Sequence, residues 1–246
     1  MLDLAAILFS GCGGEQTSIA ERSAPVESTV VENPATTPTP TATVPNLQER
    51  IFKSVATTSE SEIGRFDFKN FNYPLPRGWM DSDRNDAELV NGKRPMTMND
   101  EVERTGLSLS RVGYFDATGD GKDEAAVILK IETGGSAIPQ LVYIYEWKNG
   151  QPELIWYFRT GDRADGGLRD LRVEDGLVVL ELYGQDRYVV GELDTSKITG
   201  DEEQLCCPTH WTRSSYKWNG NVFRLHGKRL TFQTADENAP PIENMV

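Results

Sequence analysis

Short apolar runs rich in Val, Ile, Leu, Tyr, Phe and Trp recur along the chain from residue 109 onward. They read "LSRVGYF" (109–115), "EAAVILKIE" (124–132), "QLVYIYEW" (140–147), "ELIWYFRTG" (153–161), "LRDLRVE" (168–174), "LVVLELYG" (177–184), "SSYKW" (214–218) and "VFRLHG" (222–227). Each has the length and composition of a β-strand. Asn149-Gly150, Asp175-Gly176 and Asn219-Gly220 separate successive runs, and such dipeptides tolerate the positive φ angles of tight hairpins. "IYEWKNGQPELI" and "SYKWNGNVFRL" both run Tyr-x-Trp, Asn-Gly and an apolar strand, as two hairpins obeying one turn chemistry. Two copies are too few for a solenoid or propeller. No strand–helix–strand alternation occurs, which argues against a parallel doubly wound sheet. The pattern predicts a mainly β domain of antiparallel sheets joined by hairpins. One short N-terminal helix is expected, where Asn46 serves as N-cap and Leu47, Ile51 and Val55 recur at spacings of four.

Before residue 47 the pattern dissolves. Residues 13–46 are dominated by Ser, Thr, Pro, Ala and Glu and contain no aromatic residue. Such a segment cannot bury enough apolar surface to offset its conformational entropy, so a disordered linker is expected. As a flexible coil it would span about 30–35 Å. Ahead of it, "FSGC" places small Ser10 and Gly11 before Cys12, after the short apolar piece at 4–9. It resembles the bacterial lipobox, which implies cleavage before Cys12 and lipidation of that cysteine. Phe9 stands where Leu is usual, and no Lys or Arg precedes the apolar piece; a start codon upstream of Met1 is the expected reason. The organisation expected is a signal-like segment (1–12), a linker (13–46), a β-rich extracytoplasmic domain (47–235) and a disordered tail (236–246). No apolar stretch approaches the 18 or so residues of a spanning helix, so lipid provides the membrane attachment.

Composition alters this picture in one respect. The formal net charge is −13, which argues against nucleic acid, because phosphate binding needs clustered Lys and Arg. A negative field instead concentrates cations. The stretch "FDATGDGKDEAAVIL" (115–129) is where one would collect. Numbered from Asp116, it offers Asp116 at position 1, Thr118 at 3, Asp120 at 5, the Lys122 carbonyl at 7 and Glu124 at 9, with Gly121 for the sharp turn. Calcium takes 6 to 8 oxygens, and alternate residues of a tight loop supply them. Position 12, which an EF-hand fills with Glu, is Val127. The alternative is an acidic turn whose Asp side chains cap backbone amides.

The loop is similar to the strand–loop–strand calcium loops of FG-GAP (integrin-type) repeats, with Thr118 replacing the usual Asn or Asp. A hydroxyl is the poorer ligand, so the resemblance implies weak affinity, about 10⁻⁴–10⁻³ M as in extracellular modules. On a longer view "GYFDATGDGKDEAAVIL", "TGDRADGGLRDL" and "CCPTHWTRSSYKW", together with the lipobox-like start, resemble a family of uncharacterised bacterial lipoproteins with one β-rich extracytoplasmic domain. The resemblance covers residues 65–232 and implies location and fold rather than a reaction.

Candidates for other chemistry are few. Cys206 and Cys207 are adjacent, with Cα atoms about 3.8 Å apart across a trans peptide, below the usual span of a disulfide. A strained vicinal disulfide and two buried thiols are the main alternatives; a metal or redox group with His210 is the third. His210 and His226 are the only histidines, and no Gly-x-Ser-x-Gly elbow is present. "TGDRADGGLRDL" presents Asp162, Arg163 and Asp165 as a ligand loop, although its acids would repel phosphate and an Arg–Asp pair holding the loop is the plainer reading. The expectation is a non-enzymatic, lipid-anchored domain with a structural or envelope-binding role. A carbohydrate-binding module, or an envelope hydrolase using Asp162, Asp165 or His210, is the alternative.

Overall fold

The computed structural model describes residues 46–76, 81, 83–132, 134–191, 197–199 and 207–244. The expected signal segment, the linker through residue 45, Cys12 and Cys206 lie outside them. The compact unit spans Pro45–Val246. In chain order it contains a 3₁₀ turn (Glu62–Arg65) and strands β1 (Asn72–Pro74), β2 (Asp86–Glu88), β3 (Lys93–Arg94), β4 (Thr97–Met98), β5 (Glu103–Arg104) and β6 (Gly106–Phe115). There follow β7 (Glu124–Glu132), β8 (Gln140–Lys148), β9 (Gln151–Arg159), β10 (Leu168–Glu174), β11 (Leu177–Tyr183), β12 (Val189–Val190) and β13 (Lys197–Ile198). The last are β14 (His210–Trp218), β15 (Phe223–Gln233) and β16 (Ile242–Asn244).

All pairings between these strands are antiparallel, and two five-stranded sheets dominate: β3-β6-β7-β8-β9 and β10-β11-β14-β15-β16. The mainly β, antiparallel class read from the pattern is the fold. Asn149-Gly150 and Asp175-Gly176 each have two successive positive φ angles, as two-residue hairpins between twisted strands require. Asn219-Gly220 does something else. Only Gly220 is left-handed there, and the Asn219 side chain accepts the amides of Asn221 and Val222 in a longer loop.

The sheets share one core. Ala126, Ile128, Val142, Ile144 and Phe158 of the first sheet meet Leu171, Val178, Leu180, Leu182 and Tyr216 of the second. The other face of the first sheet is covered as well. Val127, Leu129, Ile131, Tyr143 and Tyr145 pack beneath Ile63, Phe68, Tyr73, Leu75 and Leu89. Central strands β7 and β8 therefore bury both faces, which is why "AAVIL" is continuous rather than alternating. The cover is pinned by polar contacts: Tyr73 Oη donates to the Phe68 carbonyl (2.6 Å) and Tyr143 Oη to the Pro74 carbonyl (2.9 Å).

Two terminal expectations differ from the structure. The segment after Asn46 forms successive turns, not a helix, with amides of Glu49, Ile51, Lys53 and Val55 each donating three residues back. The Asn46 side chain does cap, accepting from the Gln48 amide, but Phe52 is left-handed (φ 59°). The carbonyls of Leu47 and Gln48 take Tyr183 Oη and the Arg111 guanidinium, while the Phe52 amide donates to Asp170. Tertiary partners have claimed the groups a helix would use. At the other end, the expected disordered tail includes β16, whose Ile242 pairs with Thr231 of β15.

Candidate functional site

The loop between β6 and β7 is shaped by Gly119 (φ 81°) and Gly121 (φ 83°), which turn successive amides toward Asp116. Asp116 Oδ1 accepts from the amides of Gly119 (2.6 Å) and Asp120 (3.2 Å), and Oδ2 from Gly121 (2.9 Å). Asp120 Oδ1 accepts from the Lys122 amide (2.9 Å). Glu124 Oε2 accepts from Ala117 (2.6 Å) and Thr118 (3.0 Å). Three of the five predicted ligand positions thus turn carboxylates onto the loop's own amides. A carboxylate has about four lone-pair sites, so Asp120 and Glu124 retain acceptor capacity beyond these bonds. Among the described residues, no group of three or more His, Cys, Asp or Glu is arranged to hold a metal ion.

Glu124 is only 2% exposed. Burial pushes its carboxyl up to about 7, against the opposing pull of the Ala117 and Thr118 amides, and the charges of Asp120 and Asp116 add to the rise. It forms part of the wall of a cavity of about 290 Å³. Glu60, Glu62, Asp120, Asp123 and Glu146 line the same cavity, with Lys122 as the one lysine among its described lining residues, and Trp147 beside them. Asp123 is anchored by Ser59 Oγ (2.5 Å), whose oxygen also accepts the Ser61 amide. The acids of the 60s segment and Glu146 on β8 carry no local motif. Only the packing of that segment over the first sheet brings them to the loop.

The Asp162–Arg163–Asp165 loop is closed upon itself. Arg163 is left-handed (φ 41°), pairs with Asp162 (3.2 Å) and donates to the Ser136 carbonyl (2.5 Å). Asp162 Oδ1 accepts the Ile138 amide (2.6 Å), and Asp165 pairs with buried Arg187 (2.6 Å). At Gly161 and Gly167 an added Cβ would overlap backbone atoms of Asp165 and Arg163, so the glycines permit the chain's close approach to itself. Of the cysteine pair, Cys207 is described and is exposed, unlike a buried thiol. His210 Nδ1 lies 3.0 Å from Thr209 Oγ1, and His226 is exposed on β15. Comparison with protein-family models, curated proteins and solved structures gives no match to this chain.

Proposed function

We propose that this chain is a binding domain rather than a catalyst, held outside a bacterial cell by lipid on Cys12. In this reading the 116–124 loop takes one calcium ion, and the ion joins the loop to the segment that covers the first sheet. The observation that carries the calcium reading is the acidic cavity, whose described lining has six acids, buried Glu124 among them, and one lysine. Confined like charges concentrate counter-ions, and a divalent cation offsets the cost of ionising a buried acid. The FG-GAP-like spacing of Asp116, Thr118, Asp120 and Glu124 supports the same assignment. A hydroxyl at Thr118 keeps the site weak.

Thermal melting of the full chain in calcium and in chelator tests it. Calcium at 100 times its Kd adds about 2.7 kcal/mol, which is about 5–11 °C for a domain of this size. Asp120→Ala should abolish the rise. Superimposable melting curves of the wild-type protein would remove the calcium reading. For the anchor, mass spectrometry of the mature protein from its native host should find a lipid-modified Cys12 as the first residue, and an intact Met1 would rule it out.

A further inference from the structure

The face of the second sheet turned away from the shared core carries charge of the opposite sign. A groove of about 310 Å³ opens there, lined by five cations, Arg50, Lys53, Arg169, Arg172 and Arg213. Its acids are Asp170, Glu181 and Glu237. Among the described lining residues, five against three leaves an excess of two positive charges, in a chain whose formal sum is −13. A β-bulge between Leu168 and Asp170 gives β10 the extra residue, Arg169, that stands on this face. At its floor the Trp211 ring has the Arg169 guanidinium 3.7 Å from its centroid and Phe232 stacked at 4.2 Å. Both faces of the indole are therefore occupied, and no sugar ring can stack on it. Recognition falls to the guanidinium groups.

One acid in the groove behaves as a stand-in. Glu237 Oε1 lies 3.0 Å from Arg50 and 3.0 Å from Arg169, so a single oxygen is shared by two guanidiniums. Its side chain is 41% exposed and comes from the turn after β15, where the Ala239 and Asn238 amides bond back to Asp236. The Arg50–Glu237 pair is exposed on both sides and contributes about 0–1 kcal/mol, whereas buried Arg169 also keeps Glu181 when Glu237 leaves. Release of Glu237 raises the excess among the described lining residues to three. Lys53 lies on the rim, within ion-pair distance of no acid among the described residues.

We propose that the groove binds a small phosphorylated molecule, whose phosphoryl oxygens replace the Glu237 carboxylate between Arg50 and Arg169. A phosphomonoester carries about −1.5 to −2 charge near neutrality, which offsets half or more of the excess of three left when Glu237 withdraws, whereas a single carboxylate would only exchange one unit of charge for another. Guanidinium forks suit phosphate oxygens. At physiological salt the Debye length is about 8 Å, so a small ligand inside the groove feels mainly these cations. An anionic membrane or polymer would also meet the rest of an acidic protein.

Titration calorimetry of the full chain tests this with inorganic phosphate, glucose 6-phosphate, glutarate, and vesicles of phosphatidylglycerol or phosphatidylcholine. Phosphate and the sugar phosphate should bind. Glutarate, a dianion whose two charges sit on separate carboxylates, should bind at least several-fold more weakly, because neither carboxylate alone brings more charge between Arg50 and Arg169 than Glu237 does. Glu237→Gln should tighten phosphate binding, because a competing charge is gone. Arg50→Gln, at an exposed position, should weaken it about 10-fold or more, the worth of a charged hydrogen bond. Three outcomes overturn the proposal: no heat with either phosphate at millimolar concentration in a chain that melts cooperatively, weaker phosphate binding by Glu237→Gln, or binding to phosphatidylglycerol vesicles without binding of the free phosphates.

Discussion

Glu181→Gln is the most informative single perturbation of the second sheet. The carboxylate is 2% exposed and receives three guanidiniums: Arg169, Arg172 (3.0 Å) and Arg213 (2.9 Å). Removing one partner of a buried ion pair costs about 3–5 kcal/mol, because the remaining charge stays desolvated. Here the loss is tempered by the other partners. Arg169 keeps Glu237, and Arg172 keeps Asp170 (2.9 Å) and Glu174 (2.6 Å). Arg213 alone has no second acid among the described residues, and it is 35% exposed, so water recovers part of its solvation. The expected cost is therefore at the low end, about 3 kcal/mol, or about 6–12 °C in melting temperature.

Urea denaturation at constant ionic strength measures it, with an m-value that should not change if two-state behaviour holds. Salt screens buried charges poorly, so most of the loss should persist in 0.5 M NaCl. The double variant Arg169→Met with Glu181→Leu removes both members of the most buried pair and should recover more than half of the loss. A cost below about 1 kcal/mol for Glu181→Gln, at unchanged m-value, would refute the reasoning. Glu181 would then have the energetics of an exposed surface pair.

Two further measurements bear on the loop and the core. Because the Glu124 carboxyl is raised from 4.5 to about 7 in the folded chain, the folded state holds its proton more tightly than the unfolded state. Its contribution is fully present below about pH 4.5 and is lost as pH rises through 7, by about 2–3 kcal/mol after allowance for solvent in the cavity. In chelator Glu124→Gln should remove this fall while leaving an oxygen for the Ala117 and Thr118 amides; equal pH slopes for the two proteins would count against it. In the shared core, Ile128→Ala should cost about 2–5 kcal/mol. Met98→Ala, at a residue 71% exposed, should stay within about 0.5 kcal/mol, and a comparable loss at both positions would contradict the assigned burial.

The strands were legible because β-branched and aromatic runs bounded by Asn-Gly and Asp-Gly report their own conformation locally. The two faces of β7 were not. A continuous apolar run says that both sides are covered, but nothing in the weakly patterned residues 63–89 says that they supply Phe68, Tyr73 and Leu89 as the cover. The helix expected after Asn46 failed for a related reason. Spacings of four are a local signal, and the Leu47, Gln48 and Phe52 backbone groups are claimed by Tyr183, Arg111 and Asp170 from distant strands.

The same distinction separates the two charged concavities. The acidic loop could be read because its ligand candidates are contiguous, although Glu60, Glu62 and Glu146 had no signal to connect them with it. The cationic groove was invisible, and net charge was the wrong quantity with which to look for it. A sum of −13 bounds long-range attraction, but short-range recognition depends on which residues register across strands. Glu181 faces Arg213 across β11 and β14 and Asp170 across β10 and β11, so the pairing frame gathers charges that each strand shows only as polar positions between apolar ones. Shifting that frame by one residue would place the same side chains in the core. The hydrophobic alternation that fixes the register therefore also fixes the groove, and the cations are held on the outer face by Leu180, Leu182 and Leu171 packing on the inner one.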